Sequence, residues 1–144
     1  MKRVLEYAPQ DLNVNGVNLK ATATTKYDTP ILDLSQFENF LLSFIVDNTG
    51  GGAAGSAKIT ATIYDDLGST ILLATDILTA IGTTVDRTEI LVFGKDFAAK
   101  KVGNGTIGAD PDILRVLNRV KLTVEVVTAS DATTCLGYLR LIAR

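Results

Sequence analysis

Apolar and polar residues alternate with period two through most of this chain, which restricts it to antiparallel β-structure with one wet face per sheet. From residue 17 to 27 the odd positions Val17, Leu19, Ala21, Ala23, Thr25 and Tyr27 alternate with Asn18, Lys20, Thr22, Thr24 and Lys26. Asn15-Gly16 just upstream, with Leu12 and Val14 before it, reads as a two-residue hairpin turn, because Asn-Gly tolerates the positive φ of a type I′ turn. Residues 4–8 read as a first strand or extended arm. The pattern returns in Ala57, Ile59, Ala61 and Ile63, then as a short strand over 89–93. It is cleanest in Val120, Leu122, Val124 and Val126, which places Leu122 in the core and Thr123 in water. Cys135, Gly137, Leu139 and Leu141 face inward on a closing strand.

Residues 40–46 differ. Phe40, Leu42, Phe44 and Val46 form an unbroken apolar face, yet Leu41 and Ile45 are apolar on the other. Such a strand is central in a sandwich or covered by something else. Residues 70–81 fit strand or helix; their β-branched content favours strands broken near Asp76. Turn chemistry at 64–69 and 102–105 separates these runs. Asp110 can cap a short helix with Pro111 in its first position and Ile113, Leu114 and Leu117 on one face, so one helix is expected over 111–118. Short strands at this spacing predict an all-β fold, an antiparallel β-sandwich or barrel with jelly-roll topology favoured. The organisation expected is an N-terminal strand or arm over 1–10 and one β-sandwich domain over 11–144.

The chemistry is sparse. Hydrophobic residues make up 47% of the chain and charged ones 21%, which excludes disorder. The net charge of −2 lacks the basic excess of a nucleic-acid binder. Histidine is absent and Cys135 is the sole cysteine, so no intrachain disulfide, His/Cys zinc cage or His-based nucleophile system can be built. Gly50 to Gly55 matches G-x-G-x-x-G but leads into a strand, so it reads as a loop rather than a dinucleotide cradle. Asp65-Asp66 lacks the further carboxylates of a calcium loop and reads as a solvated turn, as does Lys100-Lys101. Asp33 with Glu38, or Asp110 with Asp112, could pair for glycoside hydrolysis, but capping and solvation explain them. Cys135 reads as a small buried hydrophobe. Met1-Lys2-Arg3 is not followed by an apolar stretch of a signal peptide, and residues 40–46 are too short to span a membrane. No enzyme activity, cofactor, metal, nucleic-acid, membrane or small-molecule partner is expected, and synthesis is expected in the cytoplasm.

The segment from Thr29-Pro30-Ile31-Leu32-Asp33-Leu34-Ser35-Gln36-Phe37-Glu38-Asn39-Phe40 into Ile45-Val46 resembles a line in small structural proteins of tailed bacteriophages that leads into their first long core strand. The acidic turn from Tyr64 to Ser69 and the closing strands from Arg119 to Arg144 resemble the same family. That resemblance implies a head decoration protein on the outside of a capsid, often a trimer, made in the host cytoplasm and bound to a major capsid protein. The Asp-Leu-Ser-x-Phe run also resembles galactose-binding-like jelly rolls, though this chain has no Trp. The second reading is therefore a glycan-binding module or a tail or neck component of a virion. Excess apolar surface marks association sites, and the candidate subunit interface is Val4, Leu5 and Tyr7 of the arm with Leu41 and Ile45.

Overall fold

A computed structural model describes residues 10–11, 13, 15–52, 54–96, 99–108 and 118–144. Most of the expected arm, including Val4, Leu5 and Tyr7, and the expected helix apart from Asn118 lie outside the described residues. So do Leu12 and Val14 of the expected hairpin and the Asp110 and Asp112 pair.

The described residues form two six-stranded antiparallel sheets. Sheet A contains β1 (Gln10–Asp11), β2 (Val17–Asn18), β5 (Asn39–Thr49), β8 (Arg87–Gly94), β9 (Lys100–Val102) and β12 (Thr134–Ala143). Its order is β1-β12-β5-β8-β9, with β2 also on β12. Sheet B contains β3 (Lys26–Asp28), β4 (Leu32–Asp33), β6 (Ser56–Tyr64), β7 (Ile71–Gly82), β10 (Thr106–Ile107) and β11 (Arg119–Thr128). Its order is β10-β7-β6-β11-β3, with β4 also on β11.

The pairings nest: β6 with β7, β5 with β8, β3 with β11 and β2 with β12. A long hairpin rolled up in this way, its successive pairs alternating between two sheets, is a jelly roll. The expected fold class holds. Phe40, Leu42, Phe44 and Val46 of β5 meet Ala57, Ile59, Ala61 and Ile63 of β6 and Val120, Leu122, Val124 and Val126 of β11 in one core. Leu139 and Leu141 join them, as does Cys135, whose thiol pKa burial pushes up.

Three local expectations need correction. The run from 17 to 27 is not one strand. β2 ends at Asn18, and the chain crosses between sheets through tight turns, with Ala21 N–H to the Asn18 carbonyl at 3.3 Å and Thr25 N–H to the Thr22 carbonyl at 3.0 Å. Its alternation is carried by pairing only at the two ends, in β2 and β3, because the residues from Thr22 to Thr25 are exposed.

Asn15-Gly16 is not a hairpin either. β1 and β2 both lie along the same edge of β12, Gln10 opposite Leu141 and Val17 opposite Gly137, with a tight turn between them closed by Gly16 N–H on the Asn13 carbonyl at 3.0 Å. Within this interruption the Asn13 side chain takes over the ladder: Nδ2 donates to the Gly137 carbonyl at 2.6 Å and Oδ1 accepts from Leu139 N–H.

β7 is continuous rather than broken at Asp76. It is bulged: Thr60 faces Asp76 and Ile59 faces Leu78, so Ile77 is the extra residue and both Ile77 and Leu78 turn inward. Lys100 and Lys101 also differ from expectation, forming exposed strand β9 rather than a turn.

Candidate interaction surfaces

Residues directly opposite one another in an antiparallel pair share a face, so the pairing defines both outer surfaces of the sandwich. On sheet B the outer face is a polar lattice. Lys58 bridges Asp76 at 3.4 Å and Glu125 at 3.7 Å. Arg119 lies 3.5 Å from Asp33, and Lys121 lies 4.0 Å from Asp28. Thr123 Oγ1 donates to Asp28 at 2.6 Å and Thr60 Oγ1 to Asp76 at 2.9 Å. Thr123 is therefore buried on the outer face, not wet as the alternation predicts.

Sheet A presents the opposite chemistry. Leu41 stands between Ile142 and Val92, and Ile45 between Tyr138 and Thr88. Ser43 lies between Arg140 and Ile90, and Ile90 in turn faces Val102 of β9. The surface is aliphatic from β12 to β9, interrupted in its middle by Arg140 and bordered by Asp47 and Lys100. Leu41 and Ile45 are half-buried rather than wet, because β5 is central and its neighbours shade it. Ile142 and Val102 are more open, at 36% and 66% exposed. Of the expected interface residues, the structure places Leu41 and Ile45 on this one face. Ile90, Val92, Val102 and Ile142 were not named by sequence reasoning, since period two gives a residue's face but not which strands adjoin.

A second apolar surface lies on the β6–β7 hairpin. Asp65 shapes its turn, accepting Ser69 N–H at 2.9 Å and Thr70 N–H at 3.3 Å on Oδ1, while Gly68 takes the φ of +71° that closes it. These hydrogen bonds, led by that from Ser69, hold the Asp65 carboxyl below the ordinary aspartate range. Beyond the turn, Leu67 is 85%, Ile71 57% and Leu72 65% exposed.

Little else supports chemistry. Glu89, on the inner face of β8, is the one buried carboxylate among the described residues. Its oxygens accept N–H from Asn104 and Gly105 at 3.0 Å each, and Arg87 Nη1 lies 3.8 Å away. Those partners tie down the β9–β10 turn and occupy both oxygens of the Glu89 carboxylate. Among the described residues no group of three His, Cys, Asp or Glu can hold a metal. Asp33 bonds Ser35 and pairs with Arg119, which holds it below the usual range chiefly through the Ser35 hydroxyl. The Gly50–Gly55 run is a loop between β5 and β6, as read.

The four connections at that end of the sandwich are bonded to one another. Ser130 N–H reaches the Leu19 carbonyl at 2.8 Å, Thr83 N–H the Gly55 carbonyl at 3.1 Å, and Lys20 Nζ the Thr133 carbonyl at 2.9 Å. Asn48 Nδ2 reaches the Thr83 carbonyl at 2.7 Å. The end is laced shut by its own backbone.

No protein-family model matches the sequence, and no curated protein matches it. Among solved structures, the chain is similar to the VP2 subviral particle of infectious bursal disease virus, at 11% identity and a TM-score of 0.42 over 96% of this chain. It is also similar to the Gx strain of the same virus, at 12% identity and a TM-score of 0.39 over 95% of this chain. The chain spans about 30% of the length of these neighbours. Likenesses at this level assign no function.

Proposed function

We propose that this chain is a non-enzymatic structural subunit of a virion, a decoration protein that associates with its own copies, as a trimer, and binds the major capsid protein on the outside of a phage head. The observation that carries this reading is the uneven distribution of apolar surface. The ion pairs gather on the outer face of sheet B, while aliphatic side chains stand outward on sheet A and at the β6–β7 end of sheet B. Two separate apolar surfaces suit a subunit with two kinds of neighbour. Sheet A serves self-association and the hairpin, with Leu67, Ile71 and Leu72, meets the shell.

Area supports a role for the arm. Four strands about 4.8 Å apart and some seven residues long give sheet A roughly 400 Å² of face. A standard interface takes about 800 Å² from each partner. Residues 1–10, with Val4, Leu5 and Tyr7, supply the rest by lying against a neighbouring copy.

The test is sedimentation of the purified chain alone and with capsid shells assembled from a tailed-phage major capsid protein. Oligomers that cosediment with shells are expected, and a chain lacking residues 1–9 should stay folded and associate more weakly. A monomer that ignores shells and is retained on a glycan array would replace this reading with the glycan-binding one. Binding to tail or neck assemblies instead of shells would move the subunit within the virion.

A further inference from the structure

The edge of β12 is covered by two short pieces of chain, and the connection that delivers them is strained. We propose that residues 10–19 pass from each copy of this chain to a neighbouring copy, so that every strap lies on β12 of another chain. The inference rests on the reading of the chain as a self-associating subunit.

The first argument is that β12 bonds the strap through groups that a second copy would present identically. Gln10 and Asp11 pair with Leu141 and Arg140, Val17 and Asn18 with Gly137 and Leu136, and Asn13 spans the interval with its side chain. The strap is an edge element, with no strand beyond it among the described residues.

The hinge supplies the second argument. The chain between the strap and β3 is short and folded by two tight turns. In the second, from Thr22 to Thr25, Thr24 occupies the position that a type II turn reserves for glycine or asparagine, at φ +74°. A β-branched residue resists that conformation. Opening the hinge into extended chain releases it, and short hinges under strain invite exchange.

The core then decides the partner. Val17 and Leu19 are 6% and 1% exposed, so a strap that simply lifted would leave two holes in the sandwich. Leu19 also fits a particular slot: a Cβ on Gly137 would meet the Phe44 ring and come within 3.3 Å of Leu19 Cδ1. A strap of identical sequence fills that slot, so the occupant is a second copy.

Asn18 and Leu136 are paired on the outer face of the strap and β12, in the non-hydrogen-bonded type of site, because Leu19 N–H bonds the Cys135 carbonyl in the next. Such sites bring Cα atoms to about 4.5 Å, within disulfide range. The experiment is Asn18→Cys with Leu136→Cys in a Cys135→Ala background, refolded, oxidised and run on a non-reducing gel. Exchange gives chains linked covalently to one another, three in a closed trimer, whereas an unexchanged strap gives a monomer bridged within itself. Adding Thr24→Gly should raise the bridged-monomer fraction several-fold.

A second readout uses the two single substitutions on separate, mass-tagged chains refolded together, where a mixed covalent dimer is expected. A bridged monomer with no mixed dimer, in a protein that light scattering finds oligomeric, overturns the exchange and leaves the subunit reading intact. A wild-type protein that is monomeric throughout overturns both.

Discussion

Asn13 pairs with β12 through its side chain, and the substitution that tests this removes a donor and an acceptor together. In Asn13→Ala the Gly137 carbonyl and Leu139 N–H lose their partners in a buried site. Each orphaned group costs about 1–3 kcal/mol, so a loss of about 2–5 kcal/mol is expected in urea denaturation. Thr123 is a second residue whose environment differs from its place in the pattern. Leu122→Ala should cost about 2–5 kcal/mol through the cavity it leaves. Thr123→Ala, because it breaks the bond to Asp28 in a buried position, should cost about 0.5–1.5 kcal/mol rather than nothing. Asp65 has its carboxyl held low in the folded state. Its stabilising effect is therefore complete above the ordinary aspartate range and is lost as pH falls through the lowered folded value. Asp65→Ala should melt below wild type at neutral pH, and the gap should close in acid as the wild-type carboxyl protonates. A gap independent of pH would mean that the turn is held by other groups.

Strands were legible where one face met the core and the ladder was regular. β6 and β12 satisfy both conditions, as does β11 up to its bulge at Val127, and their inward residues are those that the alternation marks. β7 fails the second. Its extra residues at Leu72 and Ile77 and the irregularity at Ala80, whose φ is +54°, break the period three times, and this is why its sequence fits strand or helix. The run from 17 to 27 meets the first only at its ends: Val17 and Leu19 reach the core and Tyr27 packs against it, whereas the residues from Thr22 to Thr25 alternate without a core to face. Leu41 and Ile45 were legible because a strand apolar on both faces requires a covered position, whereas their neighbours on sheet A needed the strand order. The Glu89 clamp was illegible for a related reason: its partners, Asn104 and Gly105, lie two strand connections away and bond through backbone. Glu89→Gln would leave Arg87 without its charged partner and weaken the hold on the β9–β10 turn. A loss of about 3–5 kcal/mol is expected, as for breaking a buried pair. Faster amide exchange at Asn104 and Gly105 than at Leu122 would place the effect in that turn.

At the scale of the whole molecule, the ion pairs gather on the outer face of sheet B, and aliphatic side chains stand outward on sheet A and at the β6–β7 hairpin. A monomer gains nothing from that sorting, since scattered apolar residues cost it little. A subunit gains a surface that water leaves readily, backed by a charged one that stays wet. The two apolar surfaces can be separated by substitution. Ile142 and Leu72 are both exposed enough that Ile142→Glu and Leu72→Glu should each shift folding stability by no more than about 0.5 kcal/mol. If sheet A joins copies of the chain, Ile142→Glu places a charge in that interface and should weaken self-association at least about tenfold, equivalent to about 1.4 kcal/mol. Leu72→Glu should leave self-association unchanged and reduce shell binding by a similar factor. Lys26→Gln, at an exposed position on the polar face of sheet B, should affect neither. Equilibrium sedimentation and shell cosedimentation on the three variants read both quantities, and equal losses for Ile142→Glu and Leu72→Glu in both assays would mean that one surface, not two, makes the contacts.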